Sequence, residues 1–321
     1  MGMIKRVATA LSAILLISLP LASAQDDLKT VEELLQHSES LDAAPETAVP
    51  ETSAAEAEAP EAEQPSLFDM MTWVTSGKGE MGKEAEIVVP DGYMFTDADG
   101  TIQLMRAMGN LTAGNEVGFF APVLNEDDGN FRWFAVFEYD SSGHVKDDEK
   151  DQLDGDALMA SMKEGEAPSN KERARNGYST LHMVGWVRPP YYNDATQNLE
   201  WAFKFRSEPD GTFGVNHNTR LLGREGVMKV TLVCDPDVFD SALEEYQSSL
   251  NGFAFKDGRR YTDFRKGDKI AKYGLAGLVL GGGLAMAAKT GLLQKFMKPI
   301  IIGFIAIGAF FKRLFGRRSK D

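Results

Sequence analysis

Two uncharged runs near the C-terminus constrain this chain more than any other feature. Tyr273–Ala288 (YGLAGLVLGGGLAMAA) and Ile300–Phe311 (IIIGFIAIGAFF) carry no charged residue, and Lys289, Lys295 and Lys298 stand between them. A helix needs roughly 20 apolar residues to cover about 30 Å of hydrocarbon. With their flanks, the runs predict a transmembrane region over 269–311, either one helix or a hairpin of two short ones. A basic tail, 312–321, follows with Lys312, Arg313, Arg317, Arg318 and Lys320. Positive charge prefers the cytoplasmic side. One crossing satisfies that preference. A hairpin puts the three lysines inside and the tail outside, and the two separate runs lean toward it. Gly277 and Gly281 have the G-x-x-x-G spacing that lets helices approach closely, toward a second copy or toward Ile300–Phe311.

The other end predicts export. Lys5 and Arg6, the apolar stretch Val7–Leu19 and the Ala22-Ser23-Ala24 cleavage pattern make 1–24 a signal peptide. An uncleaved signal anchor is the alternative. No cysteine follows the cleavage pattern, which excludes a lipoprotein. The segment 25–66 begins with helical spacing at Leu28, Val31, Leu34 and Leu35, then turns into Ala, Glu, Pro, Thr and Ser. It buries too little apolar surface to offset the entropy of ordering, so it predicts an extended, disordered acidic linker.

Between linker and anchor, 67–268 is long enough for one good-sized domain. The formal charge of the 321 residues is −14, but it is unevenly spread: −11 over 25–66, −14 over 67–268 and +9 from Lys269 onward. An acidic head excludes the phosphate-backbone binding that needs Lys and Arg clusters, so no nucleic-acid partner is expected. The basic end belongs to the lipid bilayer instead. The single cysteine, Cys234, lies in an apolar strand-like run and reads as a small buried hydrophobe.

The head reads as α+β. Ala85–Val89 predicts a strand and Pro90-Asp91-Gly92 a turn. Asp97-Ala98-Asp99 then caps a helix running to about Met108. The string DADGT opens like a calcium loop but lacks the later ligands, so the cap is the better reading. Phe131–Tyr139 predicts a strand inside a sheet, and the acid-rich stretch 144–156 leads into a short helix over Ala157–Lys163. A polar, helix-prone connector spans Ser169–Asn176. Four strands, Ser179–Val187, Leu199–Arg206, Phe213–Leu222 and Val227–Cys234, are joined by connections short enough for an antiparallel meander. Asp235-Pro236 opens a helix over Asp237–Leu250, with Val238, Ala242, Leu243 and Tyr246 facing the sheet. A hairpin-like edge over Phe253–Phe264 closes the head. The expected architecture is an antiparallel sheet, a meander of about four strands plus N-terminal strands, with helices on one face.

Five strings carry a resemblance: Gly185-Trp186, Pro189-Pro190-Tyr191-Tyr192, Leu199-Glu200-Trp201-Ala202, Leu222-Gly223-Arg224-Glu225-Gly226, and the run from Gly267 to Gly274. Together, over Ala85 to Gly291, they resemble a family of bacterial exported, membrane-anchored proteins known only as a domain of unknown function. The resemblance implies a signal, an extracytoplasmic domain and a C-terminal anchor, and it brings no catalytic residue.

Enzyme fingerprints are missing from the sequence. It holds no G-x-S-x-G, no H-E-x-x-H, no paired-cysteine metal motif, no P-loop and no dinucleotide fingerprint, so no cofactor is expected. His182 and His217 fall on strands of one sheet and are the only metal candidates, without a visible third ligand. The stiff connection Arg188–Asn193 (RPPYYN) stands between Trp186 and Trp201 and offers Tyr191 and Tyr192 as large contact surfaces. With donors from Asn216, Arg220, Arg224 and Arg188, these residues predict a ligand-binding groove for an anionic or extended partner: an envelope protein, peptide, glycan or lipid head group. The expectation is therefore a non-enzymatic binding or interaction protein held at a bacterial inner membrane, its main domain in the periplasm. The alternatives are an envelope hydrolase whose residues converge only on folding, and an accessory subunit assembled through Gly277 and Gly281.

Overall fold

The computed structural model describes residues 71–124 and 129–281, together with Phe68. The expected signal peptide, the expected acidic linker, the apolar sequence from Gly282 to Phe311 and the basic tail lie outside the described residues. Among the described residues, no helix is long and apolar enough to cross a membrane.

The head is α+β, with two antiparallel sheets. The smaller holds β1 (Gly77–Met81), β2 (Ala85–Val89) and, from near the C-terminus, β10 (Phe253–Phe255), in the order β1-β2-β10. The larger holds β3 (Tyr93–Thr96), β4 (Glu116–Pro122), β5 (Trp133–Asp140), β6 (Thr180–Asn193), β7 (Asn198–Glu208), β8 (Phe213–Leu222) and β9 (Val227–Cys234). Their spatial order is β3-β4-β5-β9-β8-β7-β6, so the predicted meander β6 to β9 returns to pair with β5. The helices are α1 (Ala98–Ala107), α2 (Gly155–Glu164), α3 (Glu166–Arg175), α4 (Phe239–Leu250) and the short α5 (Leu275–Val279). Asp97 caps α1, its carboxylate accepting from the Gly100 amide.

Several expectations need correction. Residues Arg188–Asn193 are not a connection but the last part of β6, paired with Glu200, Leu199 and Asn198 of β7. The two prolines are tolerated because β6 is an edge strand with register shifts on either side of Arg188. Phe253–Phe255 does not close a hairpin; it pairs with β2, through Phe253 opposite Ile87. On one face, Phe239, Ala242, Leu243 and Tyr246 of α4 join Trp133, Ala135 and Phe137 of β5 and the small sheet's Met81, Ala85, Ile87 and Val89 in one core. The alternate residues of β5, Phe134 and Val136, are fully buried as well. Both faces of the central strands are therefore covered, as their near-continuous apolar sequences require.

Finally, 269–281 packs into the head. The His144 amide donates to the Lys269 carbonyl at 2.8 Å, the Ala271 amide donates to the His144 carbonyl at 2.9 Å, and Leu275, Leu278, Val279 and Leu280 are buried. Gly277 and Gly281 do not share a helical face here. Helix α5 stops at Val279, and Gly281 stands beyond it with φ +92°, a conformation that a glycine adopts freely.

Candidate functional site

Strand alternation sends neighbouring residues to opposite faces, and that decides which of the expected site residues can meet. Tyr191 and Tyr192 are neighbours. In register, Tyr191 stands beside Glu200 and Thr219, while Tyr192 stands beside Leu199 and Arg220. The expected single groove is thereby divided between the two faces of the large sheet.

On the face covered by α4, Arg188 lies in a row with Ala202 and His217, next to the row of Tyr191, Glu200 and Thr219. The Tyr191 hydroxyl donates to Glu200 Oε2 at 2.8 Å. The same oxygen is 3.5 Å from His217 Nε2, a distance at which the contact is electrostatic rather than a hydrogen bond. Burial acts to raise the Glu200 carboxyl, but His217, the Tyr191 hydroxyl and the Arg188 charge together hold it below its usual range. Arg188 sits at the rim with its guanidinium 5.6 Å from the Phe239 ring centre and 3.8 Å from Asp240. His217 is 0% exposed, its ring beside those of Phe239 and Tyr246. The line from Arg188 to His217 thus runs from solvent into the core and ends where no reactant reaches.

The opposite face carries the denser constellation. One row across five strands reads Leu199, Arg220, Lys229, Glu138 and Glu116, and the row beside it reads Trp201, Asn218, Thr231, Val136 and Phe119. Four charged residues therefore stand side by side in the interior, where isolated charges are costly. Glu116 is satisfied by the Ala113 and Gly114 amides, both at 2.7 Å. Lys229 reaches Asp140 at 3.2 Å, and Asp140 also accepts from the Tyr273 hydroxyl at 3.0 Å. Burial raises the Glu138 carboxyl toward its neutral form, against the pull of Lys229 and Arg220. The Arg220 guanidinium lies 4.5 Å from the Trp201 ring centre, a cation–π contact, and burial pushes it down to about 10. It donates to the Thr219 carbonyl and, at 3.4 Å, to Asn218. Yet Arg220 Nε and Trp201 Nε1 find no acceptor among the described residues, although the two side chains are 7% and 1% exposed.

The expected residues thus separate into three groups. Trp201, Asn216, Arg220 and Tyr192 share the polar face, although the Tyr192 hydroxyl is drawn away to Asp147 at 3.1 Å. Arg188 and Tyr191 belong to the α4 face. Arg224 joins neither; it lies in the turn between β8 and β9, where two N–H groups grip the Asp268 carboxylate at 2.8 Å each. His182 is exposed, 3.6 Å from Glu166. It pairs with Arg206 of β7, four residues, or about 13 Å, along the strand from the Ala202 that pairs with His217, so the two histidines do not share a metal. Among the described residues no group of three His, Cys, Asp or Glu side chains could hold a metal ion. Burial pushes the Cys234 thiol up to about 12, far from a nucleophile's range.

Glu138, Asn218, Lys229 and Thr231 were missed by sequence reasoning. The alternation of Asn216, Asn218 and Arg220 along β8 was a visible signal, but the pairing that sets Lys229 and Glu138 beside Arg220 is not written in any one strand.

A comparison with curated proteins finds no match. Among solved structures the chain is similar to the solution structure of cyanobacterial PsbP (CyanoP) from Synechocystis sp. PCC 6803, at 9% identity, over 58% of this chain and 92% of that chain, with a TM-score of 0.33. The family described as a protein of unknown function, DUF2167, matches residues 74–310, well over half of the sequence, and the chain belongs to that family.

Proposed function

We propose that this is a membrane-tethered extracytoplasmic binding protein whose head takes a small anionic ligand, free or as a lipid head group, on the polar strip of its large sheet. The observation that carries the reading is the pair of unpartnered donors, Arg220 Nε and Trp201 Nε1, on stacked side chains more than nine-tenths buried. An orphaned buried donor costs about 1–3 kcal/mol, and an anion's oxygens relieve it. Lys229 adds to the same character. The tether and the compartment rest on the leader at 1–24 and the largely apolar sequence from 282 to 311, since 273–281 packs into the head.

The test is thermal and chemical denaturation of the full chain with inorganic phosphate, glycerol phosphate or phosphatidylglycerol vesicles, against the variant Arg220→Met. A ligand at about 100 times its Kd stabilises the native state by about 2.7 kcal/mol. That gain is expected in the natural chain and absent from the variant. Phosphate acting alone points to a free anion, vesicles acting alone to a head group, and no gain from any of the three rejects the reading. Fractionation that left the intact chain in the cytosol would reject the tether.

An envelope hydrolase is the second reading, favoured by the line of Tyr191, Glu200 and His217. It requires His217 to become accessible, and a hydrolytic activity abolished by His217→Ala is its mark.

A further inference from the structure

The polar strip is not open to solvent, and one segment stands over its end. From Asp268, gripped by Arg224, the chain runs alongside Gly143 and His144, held by the two main-chain hydrogen bonds between His144 and the Lys269 carbonyl and Ala271 amide. Lys269 Nζ also donates to the Ser141 carbonyl at 2.9 Å. The approach is close enough to require a glycine at 143 and to crowd a side chain at 274. A Cβ on Gly143 would stand 2.6 Å from the Lys269 carbonyl oxygen, and one on Gly274 would stand 2.5 Å from the Glu149 carboxylate. Next, the Tyr273 hydroxyl donates to the Asp140 oxygen that Lys229 also contacts, so the segment is wired into the charged row itself. Four buried apolar residues, Leu275, Leu278, Val279 and Leu280, complete its attachment.

We infer that Asp268–Leu280 is a strap that closes the polar strip, and that ligand and docked strap compete, so the stretch leading into the apolar C-terminal sequence sets access to the site. The inference rests on the binding reading above. Its attachment is suited to release. Among the described residues the main-chain bonds are few and the side-chain tie to the strip is a hydroxyl, and the apolar anchors belong to the same uncharged run that continues to Ala288. When a binding-competent state is only partly populated, the apparent affinity falls by that fraction, and loosening the strap restores it.

Two variants loosen the strap by different means: Tyr273→Phe removes the tie to Asp140, and Gly274→Ala drives a methyl group into Glu149. Phosphate binding to the full chain is measured by calorimetry, and hydrogen exchange is followed at the His144 and Ala271 amides. Phosphate is expected to bind each variant about tenfold more tightly, the change that loss of one hydrogen bond to a charged group carries. It is also expected to speed exchange at both amides in the natural chain. Equal affinities, with exchange unmoved by phosphate, overturn the strap while leaving the binding site standing. Failure of phosphate to bind the natural chain and both variants overturns the site and the strap together.

Discussion

The two faces of the large sheet are built from the same strands yet obey opposite rules. On the α4 side, alternate residues of β5 and β9 interlock with α4 and the small sheet: Trp133, Ala135 and Phe137 meet Met228, Val230, Leu232 and Cys234. Trp133 meets Tyr246 edge-on, Phe137 stacks on Phe253, and the Tyr246 hydroxyl donates to Thr219 at 2.9 Å, while both ring nitrogens of buried His217 find no hydrogen-bond partner among the described residues. One residue over in each strand, the other side buries Arg220, Glu138 and Glu116 in a row with the half-buried Lys229 and leaves donors unanswered. A core face gains from every methylene it excludes from water; a face of buried charges gives up stability wherever geometry is incomplete. The difference teaches where to look for function: in the layer that folding alone would not have chosen.

That contrast can be broken by measurement. Trp133→Ala, at a side chain with no exposure, should cost about 4 kcal/mol in denaturant unfolding, since it leaves a large cavity and deprives Glu245 of the indole donor at 2.9 Å. Tyr246→Phe should cost about 1 kcal/mol, because it removes one hydroxyl and leaves the Thr219 oxygen buried without its donor. On the polar face, Arg220→Met combined with Glu138→Gln removes one charge of each sign, and the relieved desolvation offsets the lost attraction. The expected change is about 1 kcal/mol or less. A loss of 3 kcal/mol or more, about the size of the core effect, would show that the polar row is simply part of the core.

How much of this was legible beforehand follows from the same alternation. The ends of β8 and β9, the cap at Asp97 and the inward positions of α4 are local matters of period and punctuation, and the sequence declares them. The RPPYYN stretch was misleading because two prolines read as a break, whereas an edge strand with irregular register accommodates them. β4, EVGFFAP, went unrecognised between two turn-rich pieces, and β10 found its partner 160-odd residues upstream, a choice that no local signal makes. The site suffered similarly. Trp201, Asn216 and Arg220 fall on one face because they obey one parity across β7 and β8. Arg188 and Tyr191 obey the other, and parity across strands depends on a register that only the folded sheet supplies.

The smallest effect tests the connection between the polar face and its strap. Asp268 is held by two charge-assisted bonds from Arg224 and one from the Arg265 amide at 2.7 Å, and Arg224 foremost lowers its carboxyl to about 2. An aspartate whose folded pKa lies below its unfolded value, about 4, adds stability that is present above that pH and is lost as pH falls toward 2. Between pH 5 and pH 2 the natural chain should therefore lose stability more steeply than Arg224→Met or Asp268→Asn. Because Asp268 is the root of the strap, the protection of the Ala271 amide relative to its intrinsic exchange rate should fall over the same window in the natural chain and be already low in both variants at neutral pH. Parallel acid slopes in all three proteins would mean that the Arg224–Asp268 pair is a surface contact with no hold on the strap.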